Sequence, residues 1–450
     1  MDIRHKATRI RWFSFDTVPM RTFHMSWFAF FLCFFAWFGI APLMAVVRDE
    51  LHLTAAQVGN TIIASVAFTV LARLGVGWMC ERFGPRLTYT WVLLLGSLPV
   101  MGIGLARSYE TFLLFRLAIG AIGASFVITQ YHTSVMFAPN CVGTANATTA
   151  GWGNLGGGVT QMVMPLLFAA LMALGAGTFW SWRLAMFFAG AVCLLTGIAY
   201  YRLTQDAPDG SFKALREAGR LPEAKQVNGS FLTACRDVRV WALFVVYGAC
   251  FGIELTVHNI AAIYFTDYFG LGLATAGIAA GLFGLMNLFA RTLGGVLGDR
   301  AGLGWGLRGR VIWLAVALFG QGVTLMLFSR MTELATAVAA LLLFSLFVKM
   351  SAGATFSVVP FVNRPCLGSV AGIVGAGGNA GAVLAAFLFK GALAWPQALL
   401  ILGGIVTVCS VVALAVRFSP AEERAARQEM EDRLAEQEAF EAVGLPAFSE

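Results

Sequence analysis

Long apolar runs alternate with short polar breaks along this chain. A run of about 20 residues or more can cross a bilayer as a helix. Such runs fall at 24–47, 57–80, 87–106, 111–137, 144–173 and 179–203, and again at 239–265, 272–298, 310–329, 333–360, 368–390 and 394–417. The pattern predicts an all-α membrane protein of about twelve helices in two six-helix bundles, 23–203 and 239–417. A polar linker, 204–238, joins the bundles, and a basic segment, 1–22, and a charged tail, 418–450, flank them. Acids and arginines alternate in the tail at helical spacing, which predicts a solvated helix. The first apolar run follows basic residues, as in a signal peptide. No small-residue cleavage site follows it, so it reads as a retained helix.

Composition narrows the class. Of 450 residues 58% are hydrophobic and 12% charged, with a mean hydropathy of +0.76, whereas soluble domains carry about 25% charged residues. The net charge of +7 follows topology rather than nucleic acid. With both termini on the cytoplasmic side, most Lys and Arg fall on that side, among them Arg4, Lys6, Arg82, Arg86, Arg216, Lys225, Arg300, Arg310, Arg364 and Arg433. The outer side keeps Arg48, Arg107, Arg183, Arg330 and Lys390. This is the positive-inside distribution of a multi-pass protein in a plasma or inner cell membrane. Eight cysteines lie singly and read as packing residues, with no metal or disulfide framework. No nucleotide-binding, hydrolase or haem motif is present, so neither an enzyme nor a cofactor is expected.

One stretch occurs twice. Leu71-Ala-Arg73-Leu-Gly-Val-Gly77-Trp-Met-Cys-Glu81-Arg82-Phe-Gly84 is matched by Phe289-Ala-Arg291-Thr-Leu-Gly-Gly295-Val-Leu-Gly-Asp299-Arg300-Ala-Gly302. Arg73 and Arg291, Gly77 and Gly295, Glu81 and Asp299, and Arg82 and Arg300 are each 218 positions apart. An arginine at bilayer depth is costly and marks a functional site unless an acid pairs with it or it snorkels out. Glu254 is the one clear intramembrane acid in the sequence. Two guanidiniums facing one cavity would bind an anion, and their planar forks suit a planar one.

Six plus six helices around a central linker resemble the major facilitator superfamily. The two copies of Gly-x-x-x-Asp/Glu-Arg-x-Gly, at Gly77–Gly84 and Gly295–Gly302, are similar to that superfamily's loop motif, a charge latch at the cytoplasmic helix ends. Leu114-Phe-Arg116-Leu-Ala-Ile-Gly120 is similar to its fourth-helix motif. Two glycine-rich stretches, Ala150-Gly151-Trp-Gly153-Asn154-Leu-Gly156-Gly157-Gly158 and Ala371-Gly-Ile-Val-Gly375-Ala-Gly377-Gly378-Asn379-Ala-Gly381, resemble the paired signatures of the nitrate–nitrite porter family. The resemblance implies a carrier of nitrate and nitrite that works as a monomer by proton-coupled uptake or nitrate/nitrite exchange. It implies that Arg73 and Arg291 hold the anion and that Phe34, Phe126, Tyr247 and Phe251 line its site. Gly151, Gly153, Gly156, Gly157, Gly375, Gly377 and Gly378 would let helices pack closely and slide. Amides inside a bilayer need partners, so Asn154 is a candidate ligand contact and Asn379 a gating or orienting group.

Four polar residues keep two readings each. Glu254 and His258 lie four apart on one helix face, as a proton relay or as a structural pair. His132 is a satisfied core residue or a third proton-coupling candidate. Lys349 snorkels or adds a positive charge to the cavity. Two other functions fit less of the pattern: a carrier of another small anion such as a carboxylate, and a membrane nitrate sensor.

Overall fold

The computed structural model describes residues 3–221, 230–271, 273–389 and 393–442. Lys225, Lys390 and the last eight positions of the tail lie outside the described residues. The first half consists of α1 (Val18–Phe38), a short α2 (Met44–Glu50), α3 (Ala55–Phe83), α4 (Pro85–Gly102), α5 (Tyr109–Ile119), α6 (Ser125–Met136), α7 (Val142–Ala173) and α8 (Gly177–Leu203). The linker carries α9 (Phe212–Glu217) and α10 (Ser230–Arg236). The second half consists of α11 (Val238–Tyr247), α12 (Ile253–Phe269), α13 (Leu273–Leu285), α14 (Ala290–Phe328), α15 (Leu334–Val358), α16 (Leu367–Phe389) and α17 (Trp395–Ala413), and the tail forms α18 (Pro420–Ala442).

Three membrane passes are composite. A 3₁₀ turn at Gly120–Ala124 fuses α5 and α6, and a 3₁₀ turn at Met286–Leu288 joins α13 to α14. A π-helical turn at Gly248–Gly252 joins α11 to α12. Eleven helices among the described residues are long and apolar enough to cross a membrane, and one of them, Ala279–Phe328, has 50 residues. Fifty residues at about 1.5 Å each span about 75 Å, more than twice a hydrocarbon core of about 30 Å. The chain reverses inside it at Trp305 and Gly306, where Gly306 has φ +67°. Divided there, the eleven become twelve.

Local chemistry explains the helix ends. α1 starts earlier than the apolar pattern predicts because the Thr17 hydroxyl caps the Met20 N–H and Pro19 suits the first turn. It ends at Phe38, and the apolar residues beyond it form a 3₁₀ turn and α2 instead of prolonging the span. Between α3 and α4 the chain turns on Gly84 at φ +92°, and a side chain there would meet the Asp206 carboxylate. Asp206 in turn accepts the Arg86 and Phe212 N–H groups at 3.0 Å each, tying the linker to the start of α4.

The N-terminal segment and the tail helix meet at one end of the bundle. Ala7 exchanges backbone bonds of 2.9 Å with Met136 and Ala138. The tail helix is docked rather than solvated all round. The Glu423 carboxylate accepts the Leu307 and Arg308 N–H groups at 2.8 and 3.0 Å, and Glu429 pairs with Lys6 at 2.8 Å and with Arg364. Burial pushes the Glu429 carboxyl up, but Lys6 and Arg364 outweigh it and hold the group at about 2. The halves meet where α3 packs on α16 and α7 packs on α14 and α15.

Candidate functional site

Arg73 on α3 and Arg291 on α14 come from opposite halves and are both 0% exposed. Each guanidinium lies over the same two rings: Arg73 is 5.3 Å from the Phe126 centroid and 5.8 Å from that of Phe251, and Arg291 is 5.8 and 5.5 Å from them. The two rings are 9° from parallel with centroids 6.1 Å apart. The Tyr247 ring lies within 15° and 8° of them, at 5.7 and 5.2 Å. The π-helical turn shifts the helical register directly after Tyr247 and contains Phe251, a local rewinding common at functional sites. Phe34 is one ring removed, touching Phe30 at 4.4 Å, which touches Phe126 at 5.7 Å.

The two arginines are held differently. Arg73 donates to the Gly123 carbonyl from Nε and Nη2, at 3.4 Å each, and from Nη1 to the Gly375 carbonyl of the other half at 2.5 Å. Arg291 donates from Nη2 to the Tyr247 hydroxyl at 2.9 Å. Its Nε and Nη1 are buried without a hydrogen-bond partner. A buried donor left unpaired costs about 1–3 kcal/mol, more for a charged group. This pair of donors is therefore suited to an acceptor from outside the chain. Asn379 on α16 is 0% exposed and neither amide atom has a partner, and the Asn154 nitrogen on α7 is likewise unpaired. Asn379 lies four residues after Gly375, on the same helix face, and Asn154 lies one turn beyond Gly151, whose Cβ position faces Arg291.

The glycines divide by what they face. A Cβ on Gly153 or Gly156 would meet Phe30 or the Phe31 backbone of α1, and one on Gly377 would meet the Phe244 backbone of α11. These three let helices of one half approach closely. Gly151 abuts Asn287 and Arg291, Gly375 faces Phe126 and Arg73, Gly378 faces Phe251 and Tyr247, and Gly157 faces Phe38 and Phe34. This second group borders the two arginines and the rings around them.

Next to Arg291 sits a buried charge cluster. The Lys349 ammonium donates to Glu254 Oε1 at 2.7 Å, Asn287 donates to the same oxygen at 3.1 Å, and Arg291 Nη1 is 3.7 Å from Glu254 Oε2. His258 Nε2 lies 3.9 Å from Oε1, with a side chain 37% exposed. Lys349 thus does not snorkel: it is 0% exposed and paired. His132 lies elsewhere, with Nδ1 on the Tyr200 hydroxyl and Nε2 on the Gln205 carbonyl, both at 2.7 Å. A carbonyl only accepts, so Nε2 carries the proton and Nδ1 accepts from the tyrosine.

The repeated loop motif forms two crossed clasps. Glu81 reaches into the other half and accepts the Ser369 N–H at 2.8 Å and its hydroxyl at 3.1 Å, capping the start of α16. Asp299 reaches back and accepts the Gly143 and Thr144 N–H groups at 3.0 and 2.6 Å, capping the start of α7. Each acid satisfies donors that a first helical turn leaves open and complements the helix dipole. Backbones touch beside each clasp, Gly77 against Gly368 and Gly295 against Gly143, where a Cβ would overlap the facing carbonyl. Arg310 adds an ion pair of 2.5 Å to Asp299. Arg82 lies over Trp78 and Phe83 at 5.1 and 5.5 Å, and Arg300 is exposed.

Several contributors carry no sequence signal. Phe356 sets its edge against Phe126 and Tyr247, at 4.9 and 5.1 Å, and is one of 38 phenylalanines. The Gly123 and Gly375 carbonyls are backbone and leave no mark in a sequence. Asn287 could have been found as an amide inside an apolar run.

Two six-helix halves clasped at one end, with a sealed cationic site between them, define a membrane carrier. The model of the Major Facilitator Superfamily matches residues 26–365. The chain is 40% identical to high affinity nitrate transporter 2.5 of Arabidopsis thaliana, over 93% of its own length and 84% of that protein. It is 36% identical to nitrate transporter 2.2 of Chlamydomonas reinhardtii, over 88% and 78%, and 30% identical to the nitrate/nitrite transporter NrtP of a Picosynechococcus species, over 80% and 83%. Among solved structures, the proton:xylose symporter XylE superposes with a TM-score of 0.68 at 13% identity, over 88% of this chain and 94% of that one. The human organic anion transporter MFSD10 does so at 0.63 and 16%, over 88% and 99%. The chain belongs to the Major Facilitator Superfamily and, within it, to the nitrate–nitrite porter family.

Proposed function

We propose that this protein carries nitrate and nitrite across a cell membrane by alternating access, as a monomer with both termini in the cytoplasm. One observation carries the reading. Two buried guanidiniums from repeat-related positions share the same pair of parallel rings, and one of them keeps two unpaired donors. A small planar anion with three acceptor oxygens satisfies those donors, and the flat rings limit the site's height. The clasps at the terminus-bearing end close the cytoplasmic side and release when the halves rock.

The charge of the site bears on coupling. Like charges buried in one site repel, and the repulsion grows as the halves close over them. An anion between the arginines relieves that repulsion, which favours exchange of nitrate for nitrite. Net uptake needs a further group beside the site. The nearness of the part-exposed His258 to Glu254, 3.9 Å, supports a reading with proton assistance there, whereas both nitrogens of His132 are engaged.

Purified protein in liposomes tests the reading with a panel of nitrate, nitrite and small carboxylates. Saturable movement of nitrate and nitrite is expected. Movement of carboxylates without nitrate would reassign the substrate, and nitrate binding without movement of any anion would favour a sensor. Uptake that always requires internal anion, whatever the proton gradient, marks strict exchange.

A further inference from the structure

We propose that Glu254 is a tethered counter-anion that takes the place of the transported anion on Arg291 while the carrier returns unloaded. The inference rests on the nitrate reading of the same site and deepens it. Glu254 Oε1 is fully engaged by Lys349 and Asn287, at 2.7 and 3.1 Å. Oε2 has no hydrogen-bond partner, and neither has Arg291 Nη1, 3.7 Å away. Two complementary buried atoms thus face each other just beyond hydrogen-bonding distance, and a side-chain adjustment of about 1 Å would join them.

The rest of the cluster makes this exchange of partners local. Lys349, on α15, keeps hold of the other oxygen, so the carboxylate can serve two cations at once, one through each oxygen. Among the described residues, Arg73 has no comparable acid. Its three nitrogens donate to carbonyls, so one arginine of the pair is fixed by the backbone and the other can trade partners. With the anion bound, Arg291 turns Nε and Nη1 to it and Glu254 rests on Lys349. With the anion gone, Glu254 closes on Arg291 and screens at contact distance the positive charge that would otherwise oppose closure of the two halves. No proton need move in this step. A charged carboxylate changes neighbours, and the site gains a path for net uptake besides exchange.

Liposomes separate the two modes. Exchange is read as labelled nitrate entering vesicles loaded with nitrite. Net uptake is read in vesicles without internal anion, at equal pH, under an inside-positive potassium diffusion potential. For Glu254→Gln the ratio of net uptake to exchange is expected to fall at least tenfold. Because that variant leaves Lys349 buried without its partner, Glu254→Gln/Lys349→Met is measured beside it with the same expectation. Lys349→Met alone frees the carboxylate for Arg291, so nitrate affinity is expected to fall about tenfold while the ratio stays at or above wild type. A parallel loss of both modes in the Gln variants, or an unchanged ratio, would overturn the proposal. So would wild-type net uptake that appears only with a proton gradient, because Glu254 would then act as a proton carrier. Failure of the nitrate reading itself looks different: the wild type would show no nitrate/nitrite exchange at all.

Discussion

The two halves carry the same motif and satisfy it in different ways. In the first half, Arg73 is tied at all three nitrogens to carbonyl oxygens and Glu81 meets a serine N–H and hydroxyl. In the second, Arg291 meets a phenol, leaves two donors unpaired and lies 3.7 Å from a carboxylate, while Asp299 is locked by Arg310. The first half has a rigid cation and a lightly held clasp, the second an adaptable cation and a firmly held one. Pseudo-symmetry therefore conserves position without conserving task. An anion held between unlike arginines can leave by letting go of one of them first.

The comparison breaks hardest at the arginines themselves. Arg73→Ala or Arg291→Ala removes at least two charge-assisted hydrogen bonds of about 1.5–3 kcal/mol each, so nitrate flux is expected to drop about 100-fold or more in either. The lysine variants sharpen the contrast. Arg291→Lys replaces a fork by a point charge and should raise the nitrate Kd. Arg73→Lys also loses the bond to Gly375 across the halves, so its turnover should fall more than its affinity. Equal kinetic profiles for the two lysine variants would mean that the arginines are interchangeable.

A second contrast lies in the clasps. Asp299→Asn leaves Arg310 buried with a weakened partner and is expected to cost about 2–3 kcal/mol, against about 1 kcal/mol for Glu81→Gln. Thermal unfolding of the two variants in one detergent checks the order. Gly378→Val comes next, because its Cβ would lie 2.6 Å from Phe251 and 3.0 Å from Tyr247. Overpacking of about 1–2 kcal/mol should weaken nitrate binding by about tenfold. Gly157→Val, whose Cβ would find its nearest atom at 3.2 Å in Phe38, should do less. Binding titrations that rank the two the other way would place the anion nearer α1.

The smallest effect belongs to the tail. Lys6 and Arg364 hold the Glu429 carboxyl at about 2, below its ordinary 4.5. A depressed carboxylate stabilises the fold above its unfolded value and loses that contribution as pH falls through its folded one. Docking of α18 should therefore be complete above about pH 4.5 and weaken toward pH 2, while Glu429→Gln weakens it at every pH. Limited proteolysis between residues 417 and 442 reads this directly, and equal protection in the variant would show that Glu423 suffices.

Much of this molecule was legible as a string. Apolar runs bounded by basic breaks marked the helices because lipid forces each pass to be long, apolar and internally bonded. Arg73 and Arg291 stood out because a charge is rare there, and the 218-residue offset paired them. The polar break between the runs 272–298 and 310–329 marked where the chain reverses at Trp305 and Gly306, whereas the π-helical turn after Tyr247 and the early start of α1 were not visible, since each depends on caps and neighbours rather than on hydropathy.

The sequence by itself determined the class of protein, the two-fold repeat and the chemistry on offer: two forks, a few rings, one acid and one lysine at membrane depth. Tertiary structure alone decided how these are shared out. Glu254 and Lys349 are 95 residues apart, and Arg73 and Gly375 are 302 apart. Only the packing of helices from distant parts of the chain sets which cation keeps its carboxylate and which is left with donors to spare. Burial makes that outcome matter, because in a low-dielectric interior an unpaired donor has no water to turn to.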